Sequence, residues 1–539
     1  MVIRSAADTA MARAPIFGFN ASRPQIVAEV TDRVMTGVHD ARLLLNDAAY
    51  CEVRRLAAKG GPEYAEWRSL AGSLGRLSDG ELRTKLRELS ERYAWDVAGN
   101  FNPTVYRLAS RAMAPVLGTL LAPRAALRNL PQLASLHALD GRIVVQGPTD
   151  RIAALAKLGT LVFVPTHLSN LDSVVFGFAL ERAGLPPATY GAGKNLFTNP
   201  VLSFFMHNLG AYRVDRRLKH VLYKDVLKAY SSVLIERGYH SLFFPGGTRS
   251  RSGGVERRLK LGLAGTAIEA FGRTAERGRP QRVFFVPATI NYMLTLEAET
   301  LVDDFLQEEG KARYIIEDDE STRVGRVAAF AQKLLGLDES CVIRFGHPID
   351  PFGNEVDDDG RSHDAHGRAI DALTYLFGDD DKPHRDPARD MQYTRELGEV
   401  ICKAYARDTV VMATHLVASA AFHHFRKALG KADLFVVLNY RDSVRVTRAE
   451  LLLTMGELLD RARELESRRQ IVLSPQLRGK PAQVLDSALR AFAGYHTKPV
   501  IGAGATDLVL EDARLLFYYQ NRLAAHGLAF DAIKPKSHR

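Results

Sequence analysis

The 539-residue sequence contains three cysteines, Cys51, Cys341 and Cys402, far apart and with no C-x-x-C spacing. Neither a disulfide framework nor a cysteine-built metal site is expected on that count, and a reducing compartment fits best. Long hydrophobic runs are also missing. Stretches such as Met113–Pro123 fall well short of the ~20 apolar residues of a spanning helix, which excludes an integral multi-span protein. The first residues, MVIRSAADTAMARAPIFGF, lack the apolar segment of a secretory signal, so none is expected. There is no Gly-Lys-Ser/Thr phosphate loop and no G-x-G-x-x-G fingerprint, hence no expectation of a nucleotide cofactor.

What is present is an ordinary globular balance, 46% apolar and 25% charged, which rules out a disordered polyelectrolyte. Lysine and arginine number 72 against 62 acids, a net charge of +10 that suits an anionic partner. A nucleic-acid partner is not expected, because no reading motif or aromatic platform accompanies the charge. The length predicts several domain-sized units.

Residues 1–140 read as helical, with apolar positions at three- and four-residue spacing over Pro24–Asn46 and Glu63–Trp95. Tyr106–Leu136 is apolar, carries only Arg107, Arg111, Arg124 and Arg128, and has no acid; it suits an interfacial segment or a proline-broken core helix pair. From 141 to 350 short β-rich runs alternate with helical patterns. The runs are Ile143–Gln146, Leu161–Pro165, Thr189–Ala192, Ala211–Val214, Ser241–Phe244, Val283–Thr289 and Cys341–Phe345. Helices are expected near Asp172–Ala183, Pro200–Leu209, Val221–Arg237, Leu263–Phe271 and Ser321–Leu335. The alternation predicts an α/β domain with a mostly parallel sheet flanked by helices. Residues 351–390 form an acidic Gly/Asp-rich stretch expected to be an irregular connector. Glu355, Asp357 and Asp359 ahead of Gly360 mimic a calcium loop, but His366 stands where the chelating acid belongs. Residues 391–539 are expected to be mainly helical, with a possible strand at Leu434–Leu438. No internal repeat is apparent.

In parallel sheets ligands gather beyond the carboxyl ends of strands, and four such loops hold unusual groups. The first, Val164-Pro-Thr-His-Leu-Ser-Asn-Leu-Asp172, places His167 just past a strand and Asp172 in the first helical turn. A carboxylate at that distance reaches the imidazole Nδ1 and leaves Nε2 to accept a proton from a hydroxyl. The second, Gly210-Ala-Tyr-Arg-Val-Asp-Arg-Arg217 followed by Lys219 and His220, concentrates guanidinium forks suited to phosphate. The third, Phe243-Phe-Pro-Gly-Gly-Thr-Arg-Ser-Arg-Ser-Gly-Gly254, joins glycines that let a backbone approach an anion to Arg249 and Arg251. The fourth, Val283-Phe-Phe-Val-Pro-Ala-Thr-Ile-Asn-Tyr292, reads by itself as core.

In this order the four loops resemble the sequence blocks of the glycerolipid acyltransferases: H-x4-D, a G-x-F-x-I-x-R type, an F-P-E-G-T-R-S-R type and V-P-x-x-I. The likeness is strongest to membrane-associated glycerol-3-phosphate acyltransferases and their dihydroxyacetone-phosphate relatives. Gly193-Lys-Asn-Leu196, Tyr393–Gly398, Val410–Ala418 and Leu515–Arg522 add to it. The resemblance implies His167 as catalytic base with Asp172 as its partner. It further implies substrate binding by Lys194, Arg213, Arg216, Gly247, Thr248, Arg249, Ser250, Arg251 and Pro287. It implies acyl-CoA or acyl-carrier protein as donor and glycerol 3-phosphate as acceptor, with 1-acyl-glycerol 3-phosphate, dihydroxyacetone phosphate or non-catalytic lipid binding as alternatives. No metal or other cofactor is implied, and the expected place is the cytoplasmic side of the inner membrane, peripheral or monotopic, against an anionic surface. One departure stands out. The acidic residue that follows Phe-Pro in the family is here Gly246, which leaves the identity of the acceptor open.

Overall fold

The computed structural model describes residues 14–109, 142–194, 200–309, 340–378, 380–493, 495–503 and 507–530. The apolar Arg-bearing segment falls outside the described residues from 110 onward, as do Asn195, Leu196 and the helix expected at Ser321–Leu335.

Among the described residues a short 3-10 helix, Pro15–Gly18, leads into the helices α1 (Phe19–Thr36), α2 (Ala41–Leu56), α3 (Pro62–Ser73) and α4 (Asp79–Val97). Each of the two long helical stretches expected here is broken once. Asp40 caps α2 by accepting the Leu43 N–H, and Ser78 with Glu81 forms a capping box at the start of α4. Such caps satisfy amide groups that a helix start leaves orphaned, and so fix where the chain stops and restarts.

The α/β domain follows as β1 (Ile143–Gln146), α5 (Thr149–Leu155), β2 (Thr160–Pro165), α6 (Asp172–Arg182), β3 (Thr189–Gly193), α7 (Pro200–Asn208), β4 (Ala211–Val214), α8 (Val221–Glu236), β5 (Ser241–Leu242), α9 (Ala264–Glu276), β6 (Val283–Tyr292), α10 (Ala298–Glu309) and β7 (Cys341–Phe345). The strands form a seven-stranded sheet in the order β1-β7-β6-β2-β5-β3-β4. Five of them are parallel, as the alternation predicts, while β7 runs antiparallel to β6 and carries β1 with it. Alternate residues of β2 serve opposite faces. Leu161 and Phe163 pack with Val175 and Phe176 of α6, whereas Val162 and Val164 pack with Ala267 and Ala270 of α9 and with Leu397 and Ile401 further along. A strand covered on both faces reads as a continuous apolar run, which is why β2 and β6 are buried along their whole lengths. The N-terminal helices close their own core on α8.

Residues 351–390 correct two expectations. They hold β8 (Glu355–Val356), β9 (Ser362–His363) and β10 (Ala369–Ile370), an antiparallel ladder in place of an irregular connector. A seven-residue repeat builds it: Asp350, Asp357 and Asp364 each precede a glycine three residues on, with Gly353, Gly360 and Gly367 at φ between 76° and 90°. Each aspartate accepts backbone N–H groups two and four residues ahead, the chemistry of a hairpin turn closed by a left-handed glycine.

The C-terminal region comprises α11 (Pro387–Arg407), β11 (Val410–Val411), α12 (Ala413–Leu429), α13 (Leu434–Leu438), β12 (Val444–Thr447), α14 (Arg448–Ser467), β13 (Val472–Leu473), α15 (Pro481–Phe492), β14 (Ile501–Ala503), β15 (Asp507–Leu510) and α16 (Ala513–Gln520). Leu434–Leu438 is helical where its valines suggest a strand. Asp433 caps it through the Phe435 N–H and starts a turn that outweighs β propensity. Helix α12 is buried among α14, α15 and α16, and this core continues into Met293 and Leu294 beyond β6. The C-terminal region therefore packs directly behind the strand ends of the α/β domain.

Candidate active site

The loop after β2 is anchored before it reaches its first polar side chain. Tyr405 of α11 donates to the Val164 carbonyl at 2.8 Å, and the Thr166 hydroxyl accepts the Ile290 N–H of β6 at 3.0 Å. His167 follows, pinned through its own backbone. Its N–H donates to Glu256 Oε1 at 2.8 Å, and its carbonyl accepts the Ser250 N–H at 2.7 Å. The imidazole lies on the Phe244 ring with centroids 4.3 Å apart. Its Nδ1 meets Asp172 Oδ2 at 2.8 Å.

Asp172 is fully buried at the start of α6. Oδ2 also accepts the N–H groups of Leu168 at 2.6 Å and Ser169 at 2.9 Å, and Oδ1 accepts the Tyr292 hydroxyl at 2.7 Å. Three donors around its two oxygens, the Leu168 and Ser169 amides and the Tyr292 hydroxyl, suit an ionised carboxylate, which has no proton to give. The proton between Asp172 and His167 therefore belongs to Nδ1, and Nε2 presents a lone pair. Nε2 makes no hydrogen bond among the described residues, and the His167 side chain keeps 14% of its surface exposed. The contact with Asp172 holds the imidazole in one tautomer. Burial and the adjoining Asp172 charge push the Tyr292 pKa well up, so its hydroxyl stays a donor.

Behind the pair stands Arg522, 1% exposed, donating through Nη2 to the Ile290 carbonyl and Asn291 Oδ1. Burial lowers its pKa, while the charges of Glu256 and Asp172 oppose the shift. It supplies a buried positive charge to a site that holds several buried acids.

The glycine-rich loop after β5 runs alongside. Gly247 has φ +74°, a left-handed conformation for which glycine is suited, and its N–H closes a turn on the Phe244 carbonyl. Lys260 lies over that turn, its N–H on the Pro245 carbonyl, and a Cβ on Gly247 would stand 2.3 Å from Lys260 Cδ. Around the turn gather Arg216, Arg249, Arg251 and Lys260. The protein crowding them, and then the like charges, lower two pKa values: Arg216 feels Arg249, and Lys260 feels Arg216 and Arg251. Mutually repelling cations at a strand-end loop favour an anion between them. Arg249 is also steadied by Glu297, 3.4 Å from its Nη1, and Glu297 Oε1 accepts the Asn170 N–H of the His167 loop.

Not every residue named from the sequence joins this cluster. Lys194 and Arg213, at the ends of β3 and β4, pair with Asp96 and Asp215 at 3.5–3.6 Å. Burial pushes the Asp215 pKa up, but hydrogen bonds and charge from Arg217, with Lys194, bring it down to about 2. Thr248 is exposed on the glycine turn. Ser250 ties the turn to His167 through its N–H, and its hydroxyl bonds the Gly254 carbonyl. Pro287 is inside β6, opposite Val164. Its carbonyl accepts the Gly346 N–H, so an N–H of its own would face β7 as well. There Gly346, His347 and Pro348 oppose only Val286 and Pro287 between the pairs Ala288–Phe345 and Phe285–Ile349. This bulge removes the need for the missing donor. Tyr292, Phe244, Glu256, Glu297 and Lys260 were not singled out as site residues from the sequence. Glu256 and Lys260 lie in Val255-Glu-Arg-Arg-Leu-Lys260, which reads as surface charge.

Residues 142–291 match the family model described as Acyltransferase. This stretch is similar to acyltransferase domains. The match spans the dyad, the cationic loops and β6 as far as Asn291. The chain is 30% identical over 202 residues to a glycerol-3-phosphate acyltransferase of Actinobacillus pleuropneumoniae, covering 37% of this chain and 23% of the relative. Against the enzyme so named from Pseudomonas aeruginosa it is 31% identical over 156 residues, covering 29% and 18%. The matched region thus spans less than a quarter of the length of these curated relatives, and it bears out the resemblance read from the four loops. Among solved structures, a 1-acyl-sn-glycerophosphate acyltransferase from Thermotoga maritima is matched at 13% identity over 55% of this chain and 91% of that one. Its TM-score of 0.24 carries no argument. No helix among the described residues is long and apolar enough to cross a membrane.

Proposed function

We propose that the acyltransferase domain moves a fatty acyl group from a thioester, acyl-CoA or acyl-carrier protein, to the sn-1 hydroxyl of glycerol 3-phosphate. The observation that carries this reading is the oriented imidazole: His167 Nε2 has no partner among the described residues, while Nδ1 is fixed by Asp172. The cations around Gly247 add a place for the phosphate, and the relatives' names supply the acceptor. His167 Nε2 takes the hydroxyl proton as the oxygen attacks the thioester carbonyl. The tetrahedral adduct then collapses, the carbon–sulfur bond breaks, and the imidazolium returns the proton to the leaving thiolate. Asp172 stabilises the imidazolium between these events. Phosphate held by Arg216, Lys260 and the neighbouring arginines fixes the distance from hydroxyl to base, and positioning of this kind lowers the barrier by several kcal/mol. The lipid product and the net charge of +10 support, in this reading, a peripheral position on an anionic membrane face on the cytoplasmic side.

The test is a panel of acceptors with labelled acyl-CoA. Glycerol 3-phosphate is expected to give the highest kcat/KM. A higher value for 1-acyl-glycerol 3-phosphate or dihydroxyacetone phosphate would replace the acceptor, and lipid binding without turnover would refute the enzyme.

A further inference from the structure

Position 246 lacks the carboxylate that its motif leads one to expect, and the structure shows what fills the space. A Cβ built on Gly246 would stand 3.2 Å from both Cγ and Oε1 of Glu256. Gly246 is outside the positive-φ region, unlike its neighbour Gly247. Backbone conformation therefore does not call for glycine at 246, whereas a side chain there would need Glu256 to give way by a few tenths of an ångström. Contacts at 3.0–3.4 Å are tighter than packed carbon atoms ordinarily make, and a two-methylene acid rooted at 246 would compete for the volume that Glu256 occupies.

The Glu256 carboxylate also has a task there. Oε1 accepts the His167 N–H at 2.8 Å, the amide of the residue whose imidazole is the base. Oε2 is buried and makes no hydrogen bond among the described residues. The buried Arg522 has its Nε and Nη1 likewise without hydrogen-bond partners among them, and the two side chains are coupled through charge. Burial raises the Glu256 pKa, against the attraction of Arg522 and the bond from His167 N–H. A buried acid is costly unless held by donors and an opposite charge. Its persistence ten residues beyond the motif, aimed back at the base loop, calls for an explanation that surface charge does not provide.

We propose that Glu256 is the relocated carboxylate of the glycine-rich loop, a positioning residue that fixes the His167 backbone from the space vacated at Gly246. The assignment builds on the acyl-transfer reading above, but half of its test is independent of any substrate. Four variants form a cycle: Glu256→Ala, Glu256→Gln, Gly246→Glu, and Gly246→Glu combined with Glu256→Ala. Each is assayed with glycerol 3-phosphate and acyl-CoA. Each is also followed by the backbone amide signal of His167 in protein labelled with 15N-histidine, identified by its loss in His167→Ala.

Glu256→Ala is expected to lower kcat roughly 10- to 100-fold, leave both KM values within about two-fold, and move the His167 amide signal. Glu256→Gln keeps an oxygen at the Oε1 position and should hold the amide signal and kcat within a few-fold of wild type. Gly246→Glu alone should lower kcat through crowding. The double variant should exceed both the Glu256→Ala and the Gly246→Glu single variants, with the amide signal moved back, because the carboxylate then arises from 246. Should Glu256→Ala fail to fold, the double variant is expected to fold. A double variant no better than the worse single, or one that stays unfolded, overturns the proposal. So does Glu256→Ala with wild-type kcat and an unmoved amide. If the wild-type protein acylates no glycerol 3-phosphate, the functional reading fails while the amide signals still decide this one.

Discussion

Replacing Asp172 by asparagine separates the two services the carboxylate performs for His167. Oδ2 accepts three donors, His167 Nδ1 and the Leu168 and Ser169 amides, whereas Oδ1 accepts, among the described residues, only the Tyr292 hydroxyl. An asparagine oriented with its oxygen in the Oδ2 position keeps all three. Its amide nitrogen then meets Tyr292, whose hydroxyl rotates to accept instead of donate. The tautomer of His167 and the fold should therefore survive. What disappears is the negative charge beside the imidazolium. Two unit charges about 4 Å apart interact by about 4 kcal/mol at an effective dielectric constant of 20, and at about 1.4 kcal/mol per decade this is on the order of a 10³-fold loss in kcat. Asp172→Ala, by contrast, strands buried donors as well, at ~1–3 kcal/mol each, and should lower the melting temperature along with kcat. The assay is steady-state acyl transfer paired with thermal melting. An Asp172→Asn variant with a wild-type Tm, unchanged KM values and kcat down by about 10²–10³ agrees with the reasoning. A kcat within ten-fold of wild type would refute it, because charge stabilisation of the imidazolium would then contribute little.

Other predictions follow from the anion site and its supports. Arg216→Ala and Lys260→Ala should each raise the KM for glycerol 3-phosphate at least ten-fold and leave the acyl-CoA KM within two-fold; equal effects on both would remove phosphate from the cluster. Gly247→Ala should destabilise the protein by about 1–2 kcal/mol in chemical denaturation, since φ +74° strains any side chain, and should raise the acceptor KM by displacing Lys260; a KM unaltered in the folded variant would detach Lys260 from acceptor binding. Asp215 lies below its ordinary range, at about 2, so its ion pairs stabilise the fold fully above pH ~4 and lose that contribution as pH falls through 2. The stability gap between wild type and Asp215→Asn should shrink as pH falls from 4 towards 2, and a constant gap would contradict the assignment.

The sheet was legible because strands covered on both faces must be continuous apolar runs, as β2 and β6 are, and the edge strands β1 and β4 fall within the β-rich stretches on either side. The direction of β7 was not legible, since an antiparallel partner for β6 leaves no mark in hydrophobicity. Leu434–Leu438 misled because a cap at Asp433 outweighs two valines. The hairpin ladder at 355–370 hides its repeat in turn residues, Asp and Gly at fixed offsets, and not in apolar periodicity. Within the site, His167 and Asp172 are five residues apart and thus readable as a pair. Tyr292, Glu256 and Arg522 reach the same point from distant parts of the chain, so only three-dimensional packing reveals them. Pro287 belonged to a readable block, yet its contacts are those of a strand at a bulge.

The most direct measurement of the account is acyl transfer to glycerol 3-phosphate by His167→Ala protein whose melting temperature and circular dichroism match wild type. With the base gone, kcat is predicted to fall by about 10²–10⁴-fold, at most a few per cent of wild-type activity. Retention of more than that in the folded variant would contradict an imidazole base at His167.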